Sequence, residues 1–334
     1  MRVGLYLDLR NPPAWHRPWG EFYARVLERI EEAERLGIDS VWLTEHHFFE
    51  DGYLPQPMTF AAAIAARTRR MRIGSAIMVA ALRPAVDVAE QGAIVDILSN
   101  GRLELGLGAG YRIPEFAAFG TDISMRYPLL EQRAAEVRRL WCEGEVMPGP
   151  VQDRPPIWIG GRGPRAARIA GRLGEGLLWL GLELLGPYLE ALRAAGHAPE
   201  SARLAGCANL ILADDPEAAW ARIKPHLAYQ WESYRRYGAE GTERVMSPGV
   251  AQIAAGFDAN DLRSPGPVMS PPHFDVVTPE DAIARLRTWL APLPVVDVFF
   301  WDAIAGMPDD LIDRHIELLA TKVAPAVAEL GRPH

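Results

Sequence analysis

Ile38-Asp39-Ser40-Val41-Trp42-Leu43-Thr44 is an apolar run that leads directly into Glu45-His46-His47. Residues 40–43 read as a strand, with Ala-rich helical sequence on both sides. A short continuous apolar run between helices marks a strand covered on both faces, as in a parallel sheet. Parallel α/β proteins place their chemistry at the carboxyl ends of such strands. Side chains alternate along a strand. One of His46 and His47 therefore points into whatever the strand end faces, and the other packs away. A neutral imidazole takes or gives a proton near pH 7. The plainer alternative is a capping His beside a packed core His. Glu45 is either a partner for a His or a buried hydrogen-bond acceptor.

Outward from this stretch, the same alternation continues. Periodicity predicts strands over 3–9, 72–79, 102–108, 156–160, 177–180, 204–213 and 295–301, with helices between them. Together with 40–43 this makes about eight β/α units, which predicts a closed (β/α)8 TIM barrel in one domain over 1–334. An open doubly wound sheet would need a chain reversal that the sequence does not display. The rhythm breaks over 238–278, where Ser247-Pro248-Gly249, Ser264-Pro265-Gly266-Pro267 and Ser270-Pro271-Pro272 occur. This reads as an insertion before the last strand, either a lid or substrate wall or a plain solvated loop. A second irregular stretch, 111–126, is expected over the barrel mouth.

Composition narrows the partners. The 334 residues are 49% hydrophobic and 23% charged, which is ordinary for a globular protein. Net charge is −8 and no basic run reaches five residues, which argues against nucleic acid and anionic membrane as partners. Cys142 and Cys207 have neither disulfide nor zinc spacing and suit a reducing cytoplasm. The N-terminus enters an apolar strand with no signal-peptide h-region, and no apolar stretch is long enough to span a membrane. Adjacent histidines on one strand point apart, so no shared metal is expected.

Two glycine-rich segments are further candidates. In Leu103-Glu104-Leu105-Gly106-Leu107-Gly108-Ala109-Gly110, three alternate glycines share one face. They either admit a flat ligand, making Gly108 and Gly110 cofactor contacts, or serve packing alone. In Ile157-Trp158-Ile159-Gly160-Gly161-Arg162-Gly163-Pro164-Arg165, a strand runs through glycines into a helix start. Free N–H groups there bind anions. Gly160, Gly161 and Gly163, with Arg162 and Arg165, form a candidate phosphate site. Asp8 and Tyr6 on the first strand are candidates for the mouth. So are His273 and the aromatics Trp15, Trp19, Phe48, Phe49, Trp179 and Trp301, which suggest a mainly apolar substrate.

Several blocks then occur in the order of one family. They are Trp42-Leu43-Thr44-Glu45-His46-His47-Phe48, Ala89-Glu90-Gln91, Val95-Asp96-Ile97-Leu98-Ser99-Asn100-Gly101-Arg102, Glu115-Phe116-Ala117-Ala118-Phe119-Gly120-Thr121-Asp122 and Pro156-Ile157-Trp158-Ile159-Gly160-Gly161. In these the chain resembles the bacterial luciferase-like flavin-dependent oxidoreductases. The resemblance implies a flavin or deazaflavin lying across the mouth of the barrel. It makes His46 the acid/base residue, with Glu45 beside it as the second catalytic candidate. It places Ser75, Ala76 and Ile77 under the flavin ring, with a non-prolyl cis bond at Ala76–Ile77. In the monooxygenases of this class, reduced FMN comes from a separate reductase and reacts with O2. Other relatives use the deazaflavin F420 for hydride transfer, and some members have lost the cofactor. Where luciferase has a phosphate-binding Arg, this chain has Ala109, so Arg112, Arg162 or Arg165 would take its place. A homodimer through outer helices near the second and third units is also implied.

Overall fold

The computed structural model describes residues 1–238, 263 and 273–330. Its strands β1 (Arg2–Leu7), β2 (Ser40–Leu43), β3 (Arg72–Ser75), β4 (Met78–Val79), β5 (Leu103–Gly108), β6 (Ile157–Gly160), β7 (Gly176–Leu178) and β8 (Leu204–Ala208) run parallel around one barrel. Two short strands, β9 (Leu210–Leu212) and β10 (Asp275–Val277), lie outside it, and β11 (Val295–Trp301) completes it between β8 and β1. The β3–β5 pairing closes the ring. Since β3 and β4 are two pieces of one stave, this is an eight-stave (β/α)8 barrel, as the alternation predicts.

Helices cover the outside. Helix α1 (Trp19–Leu36) buries Val26, Ile30 and Ala33. It ends at Gly37, whose left-handed φ of 109° lets its N–H reach the Ala33 carbonyl. The amino half of the barrel interior is filled by Trp42, Trp158 and Phe299. Each indole lies against a neighbouring glycine. A Cβ on Gly74 would sit 2.3 Å from Trp42, and one on Gly176 would sit 2.3 Å from Trp158. Beneath them Glu104 accepts from Trp158 Nε1 at 2.7 Å and pairs with Arg2 at 2.8 Å.

Two strands differ from expectation. The predicted strand 72–79 breaks after Ser75, at a cis peptide bond between Ala76 and Ile77, which is where the family resemblance implies one. The predicted strand 204–213 breaks at Asn209. Beyond it, β9 leaves the barrel and pairs with β10, which lies at the end of the 238–278 stretch. Periodicity could not reveal this pairing, because its two partners are far apart in sequence. Most of the 238–278 insertion lies outside the described residues. Among the described residues no helix is long and apolar enough to cross a membrane.

The alternate glycines of β5 have a structural cause. A Cβ on Gly106 would meet the Ser75 carbonyl oxygen at 1.8 Å, and one on Gly108 would meet the Ile77 side chain at 2.5 Å. One on Gly110 would meet Val79 at 2.6 Å. The glycines admit the 75–79 segment. We expect Gly106→Ala to destabilise the protein by about 2–3 kcal/mol, because a backbone carbonyl cannot yield as a flexible side chain can. Urea denaturation would measure it, and unchanged stability would mean that the two segments separate freely.

Candidate active site

A cavity of about 550 Å³ opens at the carboxyl ends of the strands. Its size is that of a cofactor or ligand site. Its floor carries Ala76 and Ile77 and the glycines Gly108, Gly110, Gly160, Gly161 and Gly163. The start of the helix Arg126–Cys142, after the irregular stretch that follows β5, supplies Arg126, the β6 end supplies Arg162, and helix α6 (Pro164–Leu173) starts at this side. Tyr6 lines the opposite wall, where its hydroxyl donates to the Ala76 carbonyl at 2.9 Å.

His46 is the histidine that faces the cavity. Its Nδ1 lies 2.9 Å from Glu115 Oε1, and its Nε2 lies 3.2 Å from the Tyr111 hydroxyl. Burial drives Glu115 toward the protonated form, but His46, the His47 N–H and Arg112 outweigh it and hold the carboxyl at about 2. An ionised Glu115 only accepts, so Nδ1 of His46 carries a proton and donates it. Nε2 is then left to exchange a proton on the cavity side. Burial pushes the Tyr111 phenol up to about 12, so it remains a neutral donor beside Nε2. The result is a Tyr111–His46–Glu115 chain with its proton-exchanging end at the cavity.

His47 turns away from the cavity, past the end of β2, although Thr44, Glu45 and His46 in succession line it. Its Nε2 lies 2.8 Å from Glu45 Oε1. Glu45 also pairs with Arg83 at 2.6 Å and accepts from the Val79 N–H at 2.6 Å. Both sequence options for Glu45 are met together. Its carboxylate anchors β4 and has three partners, none of them His46, while Glu45 itself also lines the cavity.

Three expected cofactor contacts are not in the cavity wall. Ser75 is fully buried, and its hydroxyl donates to the Gly106 carbonyl and accepts from the Gly106 N–H. Arg112 is also fully buried. It donates to the His47 carbonyl at 2.5 Å and to Glu115 at 3.0 Å, and so holds the His46 partner in place. Arg165 stands behind the wall, with its guanidinium 4.4 Å from the Tyr127 ring centre. Arg126 lines the cavity instead, at the end of the irregular stretch expected over the mouth.

Of the expected mouth aromatics, Trp179 and Trp301 line the cavity. Trp15, Trp19, Phe48 and Phe49 do not, and Phe48 is exposed. Asp8 packs 3.9 Å from Arg10, where burial pushes its carboxyl up to about 8 against the pull of that arginine. His273 is exposed. Sequence reasoning assigned no role to Tyr53, Tyr111, Glu115, Trp231 or Tyr234. Glu115 lay within a quoted block, which was its one available signal.

The Tyr111–His46–Glu115 chain thus shares one cavity at the barrel mouth with Arg126 and Arg162. A model of the luciferase-like monooxygenases matches residues 1–288, so the chain belongs to this family and is by class an oxidoreductase. It is 32% identical over 174 residues to the F420-dependent glucose-6-phosphate dehydrogenase of Amycolatopsis mediterranei, covering 46% of this chain and 52% of that protein. It is 28% identical over 166 residues to the oxygenase component of the flavin-dependent trigonelline monooxygenase of Acinetobacter baylyi, covering 45% of this chain and 46% of that protein. The chain thus spans about half the length of these curated relatives. Among solved structures, a monooxygenase of Streptomyces bottropensis superposes with a TM-score of 0.75 at 25% identity, over 97% of this chain and 99% of that one. An F420-dependent secondary alcohol dehydrogenase superposes with a TM-score of 0.73 at 18% identity, over 98% of each chain, and shares the fold.

Glu115 generates a pH prediction. Its carboxyl is held at about 2 in the fold against 4.5 in the free chain. The stability it contributes is complete above pH 4.5 and is lost as pH falls toward 2. Glu115→Gln should therefore lower stability at pH 7 by about 3 kcal/mol, with the gap to wild type closing between pH 4.5 and 2. Denaturation curves at pH 7, 4 and 3 test this. A gap that stays constant with pH would place the effect outside ionisation.

Proposed function

We propose that this protein is a flavin-dependent monooxygenase that takes reduced FMN from a partner reductase and uses O2 to oxidise a small organic substrate. The observation that carries this reading is the Tyr111–His46–Glu115 chain, which faces the same cavity as Arg126, Arg162 and the start of α6. The residues present fit such a cofactor. Two arginines and the α6 N-terminus suit a phosphate, and Ala76, Ile77, Gly108 and Gly160 form a floor with little side-chain bulk. The whole-chain likeness to the Streptomyces bottropensis monooxygenase supports the same reading.

Reduced FMN, when bound, supplies the electrons that activate O2. The chain's own residues handle protons and position. His46 Nε2 takes or gives a proton at the cavity, and Glu115 stabilises the imidazolium that results. Arg112 holds Glu115, and Glu45 with Arg83 holds Val79 and the floor above it. A homodimer belongs to the same proposal. Val86, Ile94 and Leu98 on helix α3 (Ala85–Ser99) are about half exposed, which supports an outer-helix contact.

A second reading is hydride transfer with F420. The curated relative at 32% identity is an F420-dependent dehydrogenase, and Tyr111 beside His46 would serve a substrate hydroxyl equally well.

Anaerobic titration with reduced FMN and reduced F420, followed by admission of O2 in a stopped-flow spectrophotometer, separates the two. Tight FMN binding with an oxygen-dependent absorbance transient is expected, and F420 binding with no such transient would favour hydride transfer. In either case His46→Ala should cut turnover by roughly 10²–10⁴-fold. Arg162→Ala should weaken cofactor binding by about 10-fold. Full turnover in the first variant, or full affinity in the second, would remove that residue from its role.

A further inference from the structure

Helix α8 (Pro216–Gly238) has two tasks at the barrel mouth. Its Trp231 and Tyr234, with Tyr53, belong to an aromatic wall of the cavity. The Tyr53 and Tyr234 hydroxyls are 3.1 Å apart, and the Tyr53 ring meets His46 edge-on at 4.8 Å. About one turn further on, Tyr237 does not line the cavity. Its hydroxyl accepts from the Glu50 N–H at 3.1 Å, and its ring centre is 4.4 Å from that of Phe49. Arg236 also pairs with Glu50. These contacts fasten the end of α8 to the segment that follows Glu45-His46-His47.

Arg112 joins this helix end to the proton relay. Its Nε donates to the Tyr237 carbonyl at 3.2 Å, while its Nη1 donates to Glu115 Oε1 at 3.0 Å and to the His47 carbonyl at 2.5 Å. A guanidinium is planar and rigid, so aiming Nε at one carbonyl also aims Nη1. The guanidinium lies over the Phe49 ring at 4.7 Å and over the Tyr237 ring at 5.4 Å. Arg112 and Glu115 are both fully buried. An ion pair held among rings is stronger than one that water reaches, because its charges interact in a lower dielectric. Glu115 Oε1 in turn lies 2.9 Å from His46 Nδ1.

We propose that Tyr237, outside the cavity, is a positioning residue for His46. Its carbonyl and ring hold the Arg112 guanidinium, Arg112 holds Glu115, and Glu115 keeps the proton on His46 Nδ1. Nε2 is thereby left to face the cavity without a proton of its own. The helix that walls the cavity thus also sets the tautomer of the reacting histidine. The proposal rests on the reading above that His46 exchanges protons at the cavity, and it holds with either cofactor.

The test reads the His46 Nδ1–H proton by NMR in the full chain with isotope-labelled histidine and no cofactor. Its signal is assigned by its loss in His46→Ala. Tyr237→Ala should speed exchange of this proton with water by about 10-fold, the weight of one charge-assisted hydrogen bond. Tyr237→Phe keeps the ring and the carbonyl and should stay within about 2-fold of wild type. Arg112→Lys keeps the charge without the planar fork and should also give about 10-fold, so the test stands if the alanine variant folds poorly. In a Glu115→Gln background, Tyr237→Ala should add less than about 2-fold. His315 is the control. The Leu212 N–H donates to its Nδ1 at 2.9 Å, so its Nε2 carries the proton, 2.9 Å from the Trp301 carbonyl. That proton should exchange at the same rate throughout. Unchanged His46 exchange in Tyr237→Ala or Arg112→Lys, an equal acceleration in Tyr237→Phe, the same acceleration without the Glu115 carboxylate, or acceleration at His315 as well would each overturn the proposal. No flavin is present, so this outcome and that of the flavin titration are read separately.

Discussion

The 75–79 segment can lie against β5 only because every second residue of that strand lacks a side chain. Ser75, Ile77 and Val79 alternate along one segment, and Gly106, Gly108 and Gly110 alternate opposite them. Gly160 of β6 extends the contact, where a Cβ would sit 2.2 Å from Ile77. The match sets the level of the cavity floor and aims the Ala76 carbonyl at Tyr6. Close packing makes such an arrangement discrete: a single methyl has no room to be absorbed. The carboxylate of Glu45 then holds Val79 from the other side, so the floor and the His46 strand are joined.

Above the floor, buried charges hold the rim. Arg112 and Glu115 lie together with no exposure to water, and Glu115 Oε1 takes the Arg112 guanidinium, His46 Nδ1 and the His47 N–H together. Arg10 plays a comparable part for the aromatic wall. It pairs with Asp51 at 2.8 Å, donates to Ser233 Oγ at 2.5 Å and lies about 5 Å from the ring centres of Phe49, Tyr53 and Tyr234. Buried ions are costly to leave unpaired. Each of these arginines therefore commits several neighbours to one arrangement, which keeps catalytic and wall groups in register. Phe49, expected at the mouth, serves instead as a ring beneath Arg10 and Arg112.

The block at 95–102 is a brace far from the chemistry. Asp96 accepts from the Leu103, Val151 and Gln152 backbone N–H groups, and so ties the loop before β6 to the helix before β5. Arg102 donates to the carbonyls of Ala65, Thr68, Met71 and Ser99. These are amino-end contacts of the barrel. A block that signals a family can thus report stability of the scaffold, while Glu115 in another block reaches the reacting histidine.

By itself the sequence determined the alternation of strands and helices, the closed parallel barrel, the glycine positions and the Glu-His-His strand end. These are local properties: periodicity, punctuation by Gly and Pro, and the two-sided burial of short apolar runs. The family resemblance named His46 as the reacting histidine, and only the tertiary structure decided that Glu115, from the short helix after β5, is its partner. It likewise decided that Arg112 serves a carboxylate, that Ser75 staples two strands, and that β9 leaves the barrel to pair with a strand at the end of the insertion. Each of these depends on groups distant in the chain coming within a few ångströms. A cation or a hydroxyl in a sequence has no direction until packing closes around it, and burial then selects the partner it must have.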